Sequence, residues 1–76
     1  MLERTLYAEG GKRRIRIVRR ADGLFHMFED SLSYEEEDDV SYWSEPSLPL
    51  QGIYESADLA EAHAHLLPGY GKPISN

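Results

Sequence analysis

Three kinds of residue in this chain have chemistry to offer: histidines, a run of carboxylates, and a strand dense in arginine. The histidines are His26, His63 and His65. His63 falls on the apolar stripe of an expected helix, and His26 on the expected core face of a sheet. A facing pair of imidazoles would bind a metal or titrate near neutrality. The commoner use of such a histidine is as a core residue with one ring nitrogen hydrogen-bonded. His65 lies two positions from His63, so the two do not share a helix face and no metal triad forms.

Glu35, Glu36, Glu37, Asp38 and Asp39 form an acidic run. Hard cations take carboxylate oxygens, but the run lacks the alternating spacing and central glycine of a calcium loop. It predicts a solvated loop, or a set of charges facing arginines of this chain or of a second copy. The basic stretch from Lys12 to Arg20 offers Arg14, Arg16 and Arg20 to phosphates, with Tyr7 or Phe25 for base stacking. Its alternative is a solvated strand face whose arginine stems cover apolar surface and discourage edge-to-edge aggregation. No RNA-recognition aromatic motif, helix-turn-helix pattern or zinc finger accompanies it.

The seven serines include none in a Gly-x-Ser-x-Gly context. There is no cysteine, no glycine-rich phosphate loop and no pair of carboxylates flanked by apolar residues. The expectation is a protein without catalytic residues, cofactor or metal. The remaining candidates are aromatic. Tyr42, Trp43 and Tyr54 would anchor an interface, since Trp and Tyr are frequent hot spots. The competing role for Trp43 is to complete a small core between sheet and helix.

The elements that would position these residues form an α+β domain: an antiparallel meander of three or four strands with one C-terminal helix on one face. A first strand spans Arg4 to Ala8, and Gly10-Gly11 turns into a second, setting Leu6 opposite Ile15 and Tyr7 opposite Arg14. Asp22-Gly23 is a strong hairpin signal. A two-residue loop there pairs Ile17 with Phe28 and Arg16 with Glu29, segregating charge from apolar groups; it is the preferred register. A three-residue Ala21-Asp22-Gly23 loop would instead set Ile17 opposite Met27. The third strand extends past Asp30, and Val40 to Ser44 forms a fourth. Pro46 and Pro49 make Glu45 to Gln51 a loop, and Gly52 to Tyr54 a last extended piece. Ser56 caps the helix, with Asp58 at the positive end of its dipole. Leu59, Ala60, His63, Leu66 and Leu67 share its apolar side. Pro68-Gly69 ends it, and residues 68–76 are expected to be a loose tail.

With 76 residues the chain is a single domain whose core is thin. No apolar run approaches the roughly 20 residues that span a bilayer. Glu3 and Arg4 interrupt any N-terminal apolar run of signal-peptide type, so the expected location is the cytoplasm and no membrane is involved. The net charge of −6 counts against a general nucleic-acid binder. Seven of the eight Lys and Arg residues lie at or before Arg20, so a basic first third precedes the acidic middle.

The segment Gly52-Ile53-Tyr54-Glu55-Ser56, followed by Ala57, Ala60 and Ala64, resembles a pattern in small uncharacterised bacterial proteins of about this length. Those proteins combine an Arg-rich hairpin, a central Trp and Gly-x-Tyr-x-Ser before an alanine-rich helix. The resemblance covers most of the chain. It implies a β-meander plus one helix and, for some members, a homodimer that exchanges elements between chains; it implies no chemistry. The functional expectation is a non-enzymatic protein–protein interaction module that self-associates as a homodimer. Exchange of the helix or an edge strand would hinge at Glu45 to Gln51. The alternative is a nucleic-acid-binding protein using the basic strand 12–20.

Overall fold

The computed structural model describes residues 1–71. Four strands, β1 (Leu2–Tyr7), β2 (Arg13–Arg19), β3 (Phe25–Glu35) and β4 (Val40–Ser44), form one antiparallel sheet in sequence order, and the helix α1 (Ala57–Ala64) follows. The fold is therefore the expected α+β meander, with four strands rather than three. β1 pairs with β2 in the expected register, Leu6 with Ile15 and Tyr7 with Arg14.

The β2–β3 hairpin takes the other register. Ile17 lies opposite Met27 and Arg16 opposite Phe28. Its loop is Ala21 to Gly23, bounded by an Arg20 N–H to Leu24 carbonyl bond of 2.7 Å. Asp22 drives this choice: its Oδ1 accepts the Leu24 amide at 3.1 Å, as an aspartate in a turn commonly does. Gly23 then sits at φ +84°, the left-handed position that closes a three-residue hairpin loop. Charge segregation did not decide the register. The shift places Ile15, Ile17, Phe25 and Met27 together on the helix side, all buried. His26 moves to the opposite face, so it shares no site with His63.

The helix begins as expected, with Ser56 Oγ accepting the Leu59 amide at 3.1 Å. It packs across β2 and β3. Its buried stripe differs from the expected one: Ala60 and Ala64 are fully buried, with Ala57 and Leu67 partly so. Leu59 and Leu66 are exposed at 53% and 80%, and His63 is exposed as well. Alanines permit a close approach to the bulky Ile15, Ile17 and Met27, and close approach leaves no room for leucine on that stripe.

The expected loose tail fails at Tyr70, which is 2% exposed. Its hydroxyl donates to Glu29 at 3.0 Å, and the Arg13 guanidinium lies 5.5 Å from its ring centre. Gly69, at φ +86°, turns the chain back onto the sheet; a Cβ there would lie 2.6 Å from Arg13 Nη2. The rest of that expectation, from residue 72 onward, lies outside the described residues. Among the described residues no helix is long and apolar enough to cross a membrane.

Candidate interaction surface

Partners across a strand pair share a face, and neighbours along a strand alternate. The face away from the helix therefore carries Tyr7, Arg14, Arg16, His26, Phe28, Asp30, Leu32 and Trp43. At its centre lies Asp30, with 0% exposure. Its Oδ2 accepts from Arg14 Nε at 2.6 Å and Arg16 Nε at 2.7 Å, and its Oδ1 from Arg16 Nη2 at 3.0 Å. Burial pushes the Asp30 carboxyl up, but the bonds from Arg16 and Arg14 outweigh it and hold its pKa below the usual value.

Aromatic rings close over this charged centre. The Arg14 guanidinium lies 4.3 Å from the Trp43 ring centre, and that of Arg16 lies 5.1 Å from Phe28. Tyr7 and Trp43 stand on the two outermost strands, yet their rings approach to 6.0 Å by leaning across Arg14. His26 packs edge-on against Phe28 at 4.8 Å. Trp43 therefore joins this outer roof and not the core between sheet and helix. Nothing in the pattern of the chain pointed to Asp30, because its role depends on two arginines from the neighbouring strand.

The arginines expected to offer a basic surface are paired within the chain. Arg13 meets Glu29, Arg14 also meets Glu45, Arg19 meets Glu3, and Arg20 meets Asp22, at 3.1 to 3.3 Å. Arg4 bridges Asp58 and Glu61 of the helix at 2.7 and 3.1 Å. None of these acidic partners belongs to the run from Glu35 to Asp39, which stays exposed at the end of β3 and in the turn to β4. Tyr34 donates its hydroxyl to Asp39 within that turn.

Among the described residues no helix lies behind the end of the sheet that carries this turn. β2 pairs with β3 only as far as Arg13 opposite Ser31. Beyond that point only the Leu32 amide, bonded to the Lys12 carbonyl, still reaches the β2 side, and β3 and β4 continue as a two-stranded ribbon, Leu32 with Trp43 through Glu35 with Val40. Leu32 and Tyr34 show on one side of it at 38% and 58% exposure, and Val40 and Tyr42 on the other at 49% each. Of the expected interface aromatics, Tyr42 thus stands exposed on the ribbon and Trp43 at its root. Tyr54 lies apart from both. It exchanges backbone bonds with Phe25 and packs partly buried against the core, its ring 5.3 Å from that of the exposed His63 at a tilt of 44°.

One groove of about 290 Å³ opens between the helix and the loop before it, lined by Met27, Leu50, His63 and Leu67. At its rim Arg13 binds Glu29 and the Pro68 carbonyl. Its charged groups are thus committed to one another. Among the described residues no three His, Asp or Glu side chains are grouped to hold a metal ion. No family model, curated protein or solved structure matches this chain.

Proposed function

We propose that this protein is a non-enzymatic interaction module of the cytoplasm that self-associates as a homodimer. The ribbon beyond Ser31 carries the reading. It displays Leu32, Tyr34, Val40 and Tyr42 to solvent on both faces. An isolated two-stranded ribbon is marginal in water, so a partner that covers it stabilises both. The nucleic-acid alternative draws less support, because each arginine of the basic strand already has a carboxylate at 2.6 to 3.3 Å. For the same reason the attraction between the two copies is assigned to apolar and backbone contacts, not to arginine meeting the acidic run.

Sedimentation equilibrium at micromolar and submillimolar concentration tests the reading. A dimer is expected that added salt does not dissociate, with Tyr42→Ala weakening it far more than Glu36→Ala. A monomer throughout ends the proposal. Salt-sensitive binding of labelled nucleic acid, with shift changes at Arg14, Arg16 and Arg20, would establish the alternative instead.

A further inference from the structure

The two edges of the sheet are built differently. β1 is guarded: its pairing with β2 is interrupted by a bulge between Leu2 and Arg4, and Glu3 and Arg4 put charge along it. Bulges and charges of this kind keep an edge from pairing with another strand. β4 has neither. Val40-Ser41-Tyr42-Trp43-Ser44 contains no charge, no proline and no bulge, and its β-branched and aromatic residues favour strand pairing.

The hydrogen-bond pattern identifies which β4 groups are open. The Leu32 amide donates to Lys12 on the β2 side at 2.8 Å. In an antiparallel strand a residue's N–H and C=O point the same way, and successive residues alternate. Ser31, Ser33 and Glu35 therefore bond toward β4, to Ser44, Tyr42 and Val40. The backbone groups of Ser41 and Trp43 point out of the sheet, away from β3.

We infer that β4 pairs antiparallel with β4 of a second copy about a two-fold axis at Tyr42; this rests on the self-association proposed above and assigns its surface. In that register Ser41 of each copy faces Trp43 of the other. The axis generates this pair twice, and each exchanges N–H···O bonds in both directions, filling the open groups. Tyr42 meets its own symmetry mate as a non-hydrogen-bonded pair, the closer kind, at a Cα separation of about 4.5 Å. Val40 meets Ser44 likewise. The two half-exposed aromatics become neighbours, and the sheets join into one.

The chain has no cysteine, so single substitutions report cleanly. A separation of about 4.5 Å lies within the range that a disulfide spans. Tyr42→Cys is expected to form a linked dimer under mild oxidation at micromolar concentration, and Leu48→Cys, in the exposed loop, is not. A mixture of Val40→Cys and Ser44→Cys chains is expected to link as a heterodimer, which covers the case that Tyr42→Cys fails to fold or loses affinity with its ring. Ser41→Pro removes an outward amide that makes no bond within the sheet, so the monomer keeps its strand signature while self-association weakens roughly tenfold or more. A native dimer by sedimentation with no Val40→Cys/Ser44→Cys linkage, or with the affinity of Ser41→Pro unchanged, overturns the β4 assignment and leaves self-association standing. A monomer throughout overturns both.

Discussion

The Arg14 guanidinium lies 4.3 Å from the centre of the Trp43 ring while its Nε holds Asp30 at 2.6 Å. One side chain thus ties the outer roof of the sheet to the charge beneath it. The two arginine side chains over Asp30 keep only 16% and 21% exposure, and Asp30 keeps none. Removing the carboxylate leaves two half-buried cations facing each other.

Asp30→Ala is therefore expected to cost about 3 kcal/mol, the low end for breaking a buried pair because the arginines retain contact with water. Trp43→Ala, which uncovers the pair, costs less but more than Glu36→Ala, whose effect stays within about 0.5 kcal/mol. Urea titration of the three variants gives the order. Equal effects at Asp30 and Glu36 would exclude a structural role for the buried carboxylate.

Stability falls on acidification in two stages. Burial, with Arg20 and the N-terminus, holds His26 below its ordinary 6.5, against a smaller opposing effect of Asp22. The unfolded chain therefore takes up a proton below about pH 6.5 that the folded chain refuses until lower pH, and stability declines through that interval. Asp30, and Glu61 beside Arg4, are both held below their ordinary carboxylate values, so as pH falls further two protons are taken up first by the unfolded chain and the loss steepens. The melting temperature is expected to be level from pH 8 to about 6.5, to decline gently below that, and to drop steeply below about 4. His26→Gln should flatten the gentle part and leave the steep part. A melting temperature level down to pH 4 would contradict the first stage.

Tyr70 fastens the chain after the helix. Tyr70→Phe loses the bond to Glu29 and is expected to cost about 1 kcal/mol. Tyr70→Ala also leaves a gap in the buried cluster that includes Ala8 and Ile15, with an expected cost of about 3 kcal/mol. Thermal melting distinguishes the two. Unchanged stability of Tyr70→Ala would return this segment to the loose tail that its glycines and proline suggest.

The elements that local chemistry dictates were legible in the chain. Ser56 marked the helix start, the Gly10-Gly11 turn set Leu6 opposite Ile15, and Val40 to Ser44 stood between an acidic run and prolines. The hairpin register was not legible, because Asp-Gly suits a two-residue and a three-residue loop alike. Preferring the loop that kept arginine away from apolar groups assumed that the arginines needed solvent. Asp30 removes that need for Arg14 and Arg16. Tyr70 escaped notice for a similar reason, since its partners Glu29 and Arg13 are brought to it only by the completed fold. The ribbon was half visible, as period-2 spacing past Asp30, but its projection beyond β2 depends on where β2 ends.

The order β1-β2-β3-β4 gives every strand its sequence neighbour as its spatial neighbour. Loop-closure entropy grows with the length of chain enclosed, and the turns of this sheet enclose only a few residues each. Hairpins can therefore zip independently from the Gly10-Gly11, Asp22-Gly23 and acidic turns, because each of these closures is local. The helix and Tyr70 must instead close about forty residues or more of chain to find Ile15 and Glu29. The meander thus lets the sheet assemble from short closures alone, whereas the alanine stripe of the helix meets it only across a long one.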